Sequence, residues 1–375
     1  MLDATAQRGA HNATLDWLSA RRQILAWWAA SRALVFATAL ALELAGRHYG
    51  LLGPKIFHRP LGLLGAWDGQ WYVEVATKGY LLVPGRQSDP AFFPLYPIAL
   101  KLLGATGMPA FAAGILISNG AFLAALLALD AVGRAHLPAA DARRAAVFAA
   151  VFPLGYVFSM VYPESLLLAL GLLAVLAAQR DRWFLAALLV AFATLARPEG
   201  VFFALPIAQI AFERRALHGR ALAAIVAAPT ALLSFPLYLG WALGDPHAWA
   251  KAESAWGRSF RLDGAVTGWH ELLALRAGHG WLLRDAVFLV LYAGLIAVAR
   301  RARIPWGWIL ASAAVLLLPL ESGSVESVGR FGLVLPPVYW GLAVLGRRRA
   351  VTTMLLALSA VLLAAGTATL PLAFP

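Results

Sequence analysis

The 375-residue sequence contains no cysteine. That absence excludes a disulfide framework, thiolate nucleophiles and cysteine-based metal centres, and it leaves the redox compartment open. Charge is scarce as well: Asp, Glu, Lys and Arg make up 13% of the residues, against 61% hydrophobic ones. With a mean hydropathy of +0.73, the chain belongs with membrane proteins and not with soluble domains of this length. Carboxylates are outnumbered, 19 against 31 Lys and Arg. The net charge of +12 would suggest nucleic acid for a soluble chain. Here the arginines fall in short clusters between apolar runs, so they read as topology signals and no nucleic-acid partner is expected. The sequence also lacks a phosphate-binding lysine loop, a dinucleotide fingerprint and a nucleophile elbow, so no soluble nucleotide and no cofactor is expected. His247, His270 and His279 share one polar segment without metal-ligand spacing, and no metal site is expected.

What fills the chain is a series of apolar runs near the roughly 20 residues that cross a bilayer. The expectation is an all-α polytopic membrane protein, one integral membrane domain over 1–375. Arg21 and Arg22 precede the first run, 24–45, and hold the N-terminus in the cytoplasm by the positive-inside rule. No small-residue cleavage site follows the leading segment, so this span is expected to be retained. Further spans are read at 109–133, 145–162, 165–178, 183–196, 200–212, 221–243, 286–299, 305–320, 331–346 and 351–373, the tenth bent at Pro336-Pro337. That makes about eleven, within a range of roughly nine to twelve, because runs of about 15 apolar residues are also compatible with re-entry. The arginine clusters fall at every turn on one side. The longer polar segments, 46–108 and 244–285, fall on the other, as the first and second large extracytoplasmic loops.

The first loop carries Trp67-Asp68-Gly69-Gln70-Trp71-Tyr72, a carboxylate among three aromatic rings on an expected interfacial helix. Ala91 to Leu103, interrupted by Pro94 and Pro97, reads as a re-entrant or interfacial segment, not a span. Asp68 fits a general base; the plain alternative is a helix cap. Trp67, Trp71 and Tyr72 fit sugar stacking or an ordinary aromatic belt. Glu164 and Glu199 each follow a proline at an outer hairpin tip, either lining a cavity or sitting in a first helical turn. Arg197 and Arg330 lie on the outer side, where positive-inside bias does not account for them, and a guanidinium there suits a lipid-linked phosphate. Arg197 has a simpler option in pairing with Glu199. The second loop adds His270 and the tryptophans Trp249, Trp256, Trp269 and Trp281, suited to a sugar or a lipid tail. Arg32, Glu43 and Asp130 read as structural pairs or snorkelling groups, and Ser118-Asn119 as interhelical hydrogen-bonding groups.

In order along the chain, Trp67 to Tyr72, Phe92-Phe93-Pro94-Leu95-Tyr96-Pro97, Tyr162-Pro163-Glu164-Ser165 and Ala196-Arg197-Pro198-Glu199-Gly200 resemble bacterial relatives of the GPI mannosyltransferase II (PIG-V) family. The motifs span roughly the first 200 residues and the hydropathy pattern the whole chain. The resemblance implies a GT-C glycosyltransferase bundle with its active site at the outer face of the cell membrane. It implies a polyprenyl-phosphate mannose donor, an inverting transfer to a glycan, lipid or protein acceptor, and Asp68 as the acidic residue of the first outer loop. A transporter or flippase of lipid-linked glycans is the alternative; it would place paired charges at the bilayer midplane and show internal repeats.

Overall fold

Within a bilayer every backbone N–H and C=O must find a partner inside the protein, which favours helices for runs this apolar. The computed structural model is helical, with no strand among the described residues. It describes residues 2–49, 60–259, 263–264, 266–267, 270, 280–322 and 325–370, with side chains omitted at 2–18, 47–49 and 280–281. Part of the lead-in to the first outer loop, Trp269, His279 and the end of the last expected span lie outside the described residues.

In chain order the helices are α1 (Leu2–Tyr49), α2 (Asp68–Lys78), α3 (Leu95–Gly104), α4 (Ala110–Gly133), α5 (Ala139–Ala150), α6 (Glu164–Gln179), α7 (Trp183–Ala196) and α8 (Ala204–Glu213). They continue as α9 (Gly219–Leu243), α10 (Ala248–Ala255), α11 (Gly280–Arg301), α12 (Trp306–Glu321), α13 (Val328–Phe331), α14 (Pro336–Leu345) and α15 (Arg349–Thr369). Five are long and apolar enough to cross a membrane: Ser19–Gly46 within α1, then α4, α9, Leu282–Arg301 within α11, and α15. A sixth crossing is available if α13 and α14 are one broken span, bent by 81°. The break falls where Pro336 and Pro337 open α14, since neither offers an N–H and Leu335 before them is held extended. α6, α7 and α12 are shorter apolar helices.

Two more of the expected spans are not continuous helices. The run 145–162 divides after α5, where Pro153 interrupts the backbone ladder and a 3-10 turn, Gly155–Ser159, follows. The run 200–212 is a 3-10 turn, Pro198–Phe203, leading into α8.

The core is built by α4 against α5 and α6, α6 against α7, α7 against α9, and α14 against α5 and α11. α15 buries only Leu363 and Thr367, while Leu358, Val361 and Leu362 face outward; Leu233, Leu237 and Trp241 do the same on α9. Apolar faces this extensive fit lipid contact rather than water.

Several buried polar side chains of the spans find partners within the protein. Arg32 and Glu43 do not pair with each other. Arg32 donates to the carbonyls of Ala150 (3.2 Å) and Gly155 (2.9 Å) and to Ser159 Oγ (2.9 Å), closing the break after α5. Glu43 accepts the N–H groups of Leu61 (3.0 Å) and Leu63 (2.9 Å), anchoring the chain that leads to α2. Ser118 and Asn119 of α4 bond to Tyr162 O (3.0 Å) and Ser159 Oγ (2.8 Å), the expected interhelical role. Asp130 pairs with Arg134 at 2.9 Å.

Candidate functional site

Trp67 is a non-glycine residue at φ +58°, ψ −125°, a sparsely populated conformation that must be held by its surroundings. Its indole N–H donates to Leu370 O at 2.9 Å, at the end of α15. This turn starts α2 with Asp68, whose backbone N–H donates to Tyr162 Oη at 3.1 Å. Asp68 is 6% exposed, and its carboxylate Oδ2 lies 2.5 Å from Arg330 Nη1. It is the first residue of α2, one past the N-cap Trp67, and its side chain is directed to a guanidinium from 262 residues away instead of capping the helix.

Arg330 reaches that position through α13. Ser327, at φ +69°, turns the chain into this four-residue helix. Buried Asp285 of α11 accepts the N–H groups of Ser327 (2.8 Å) and Gly329 (3.1 Å), and Tyr292 Oη donates to Gly329 O at 2.6 Å. Arg330 is thereby held inward, 3% exposed, with its guanidinium 5.4 Å from the centre of the Tyr162 ring.

The two Pro-Glu steps converge on one arginine. Pro163 precedes α6 and leaves Glu164 as its first residue; Arg197 is extended (φ −157°), and Pro198 opens the 3-10 turn that contains Glu199. Glu164 Oε1 lies 2.5 Å from Arg197 Nη1, and Glu199 takes Arg197 in a fork, 2.7 Å from Nη2 and 3.1 Å from Nε. Glu164 Oε1 is also 3.4 Å from Arg330 Nε. The result is a buried chain, Asp68 to Arg330 to Glu164 to Arg197 to Glu199. Three carboxylates face two guanidiniums, leaving one negative charge in excess if all are ionised. Desolvation of such a group costs several kcal/mol per ion and is offset only while every partner is present.

A cavity of about 420 Å³ opens on this chain. Asp68, Glu199, Arg197 and Arg330 form its polar wall, with Tyr72, Phe92, Phe93, Trp249, Trp256 and Phe331 supplying aromatic surface. Trp71 stands one layer back, stacked on Phe92 (centroids 5.9 Å) and edge-on to Trp256 (5.6 Å). Glu164 lies behind the arginines, 1% exposed. Trp67 turns toward α15, and exposed His270 does not line the cavity.

Three further participants were not singled out by sequence reasoning. Arg258 lines the cavity, donates to Ser327 Oγ at 3.2 Å and lies 5.9 Å from the Phe331 ring centre. Glu253 of α10 shares that wall; burial raises its carboxyl pKa, with Arg258 opposing. Asp285 acts through the α13 turn. Nothing local distinguished Arg258 or Glu253 from solvated loop charges; the tryptophans flanking them were the only signal, and it marked the loop and not the residue.

Compared with known proteins, the chain matches no family model and no curated protein.

Proposed function

We propose that this protein is a membrane glycosyltransferase that moves a mannosyl residue from a polyprenyl-phosphate donor to an extracytoplasmic glycan, lipid or protein acceptor. The observation that carries the reading is the Asp68 carboxylate in the wall of an aromatic cavity, beside guanidiniums. The aromatic rings suit a sugar face or a prenyl tail, and the arginines suit a leaving phosphate. An acceptor hydroxyl attacks the anomeric carbon, Asp68 takes its proton, the new C–O bond forms, and the bond to phosphate breaks with polyprenyl phosphate leaving. Inversion, mannose and the PIG-V-like assignment rest on the motif resemblance. The GT-C architecture, with about eleven crossings, is part of the same proposal.

Arg197 is already forked on Glu199, and Arg330 is shared between Asp68 and Glu164. A phosphate brought to this net-negative group therefore needs an additional cation, and Arg258 in the cavity wall provides one. Burial raises the Glu253 pKa, with Arg258 opposing.

The test is to incubate the purified protein with radiolabelled mannosyl-phosphoryl-polyprenol and a membrane lipid extract. A labelled product with stoichiometric release of polyprenyl phosphate supports the reading. Donor that crosses reconstituted vesicles uncleaved supports transport of lipid-linked glycans instead.

A further inference from the structure

α4 runs from Ala110 to Gly133, with Gly114 beside Val161 near the cavity and Gly133 against Trp340 of α14, so its 24 residues span roughly 36 Å between the two ends of the bundle. The far end is the basic one. There the α4–α5 connection, the end of α11 with the turn after it, and the end of α14 border an open pocket of about 520 Å³. We infer that this pocket binds the phosphate of an anionic membrane lipid, at a site separate from the Asp68 cavity.

Arg301, Arg303 and Arg347 line the pocket, and no carboxylate does. Arg347 is held by Asp141 (2.8 Å), but Asp141 is shared with Arg144 (2.6 Å), so that carboxylate neutralises only one of two guanidiniums. Neither Arg301 nor Arg303 has a carboxylate within ion-pair distance among the described residues. Their neighbour Arg300 differs: its guanidinium lies 4.4 Å from the Trp306 ring centre. Arg303 adopts φ +67°, a left-handed conformation that a residue with a Cβ rarely takes, at the turn that sets it on the same rim as Arg301.

His136 also lines the pocket. Its Nε2 is buried and has no hydrogen-bond partner, and its ring packs edge-on against Trp340 at 5.9 Å. Burial lowers the imidazole pKa, with Glu213 opposing.

Arginines at helix ends are ordinary topology signals and also complement the helix dipole. Those roles need neither a concavity nor a buried unsatisfied imidazole. The remaining wall, Leu137, Val298, Ala302 and Val344, is apolar and suits the glycerol and first acyl carbons of a lipid better than a free ion. A second depression at the Arg182 and Arg220 turns, about 630 Å³, has Asp181 in its wall and is the weaker anion site for that reason.

The test is native mass spectrometry of the purified full chain with phosphatidylglycerol or phosphatidylcholine added. The parent is expected to retain phosphatidylglycerol preferentially. The Arg301→Gln/Arg303→Gln variant should retain it on the order of 10-fold less. An Arg348→Gln/Arg349→Gln control, with the same charge change outside the pocket, should behave as the parent. Val344→Trp, which fills the pocket without altering charge, should also lose the lipid and covers the case in which the double variant fails to fold. Equal loss in the control and the pocket variants would overturn the inference, as would retention by Val344→Trp. Displacement of the lipid by inorganic phosphate alone would overturn the assignment to a lipid.

Discussion

Arg197 is the residue on which the candidate site depends most for its stability, because it compensates two buried carboxylates at once. Arg197→Ala leaves Glu164 and Glu199 without their shared cation and is expected to destabilise the protein by about 3–5 kcal/mol, read as a lowered unfolding temperature. Arg197→Lys keeps the charge but not the fork, and should fall between the variant and the parent. Arg258 is half-buried and less deeply engaged, so Arg258→Gln is expected to fold normally and to raise the donor KM about 10-fold, with a smaller effect on kcat. Unchanged KM would remove Arg258 from the phosphate site. In the first outer loop, burial pushes Asp89 up to about 6, opposed by the Leu81 N–H that it accepts at 2.7 Å. The folded state thus holds this proton more tightly than the unfolded chain. Stability from Asp89 is full below about pH 4 and is lost as pH rises through about 6. Asp89→Asn keeps the acceptor and cannot ionise, so relative to the parent it should gain unfolding temperature between pH 4 and pH 7. A pH-independent gap between the two would contradict the assignment. At this scale the sequence was partly legible. Asp68 stood out because its neighbours are informative, and Glu164 and Glu199 because both follow proline. Their common partner Arg197 was legible only as Glu199's neighbour in sequence. Arg330 as the partner of Asp68 was not legible, since the pairing spans 262 positions.

Among the elements, the α13 turn is held from outside by Asp285. Asp285→Ala removes the acceptor for two buried N–H groups, and a loss of about 2–4 kcal/mol in unfolding free energy is expected. Asp285→Asn retains one carbonyl acceptor and should lose less; equal losses would show that charge and not hydrogen bonding holds the turn. Gly200→Ala should be severe as well, because its Cβ would meet the Ala193 carbonyl across the Pro198–Phe203 turn. The long helices α4, α9 and α15 follow the apolar runs closely, whereas α1 and α11 extend beyond theirs. The shorter runs were less legible. Hydropathy at 145–162 and 200–212 is continuous, yet the backbone divides there, and a hydropathy average does not register where Pro153 or Pro198 interrupts the ladder. The bend at Pro336-Pro337 was legible because two adjacent prolines leave a helix no alternative.

For the molecule as a whole, the arrangement places the Asp68 cavity and the clustered arginines at opposite ends, and the proposal assigns the first to the outside of the cell. The absence of native cysteine makes this directly testable with single-cysteine variants. Exposed Gln87, beside the loop tied by Asp89, should be labelled as Gln87→Cys by a membrane-impermeant maleimide added to intact cells. Exposed Arg348→Cys should require permeabilised cells. The chemistry proposed for Asp68 is read from the initial rate of polyprenyl phosphate release from mannosyl-phosphoryl-polyprenol. Parent and Asp68→Asn would be compared with acceptor present and at equal folded fraction by size-exclusion chromatography. Release by the parent and a drop of at least about 100-fold in the variant are expected, in keeping with loss of a general base. Equal release by the two proteins would contradict that role.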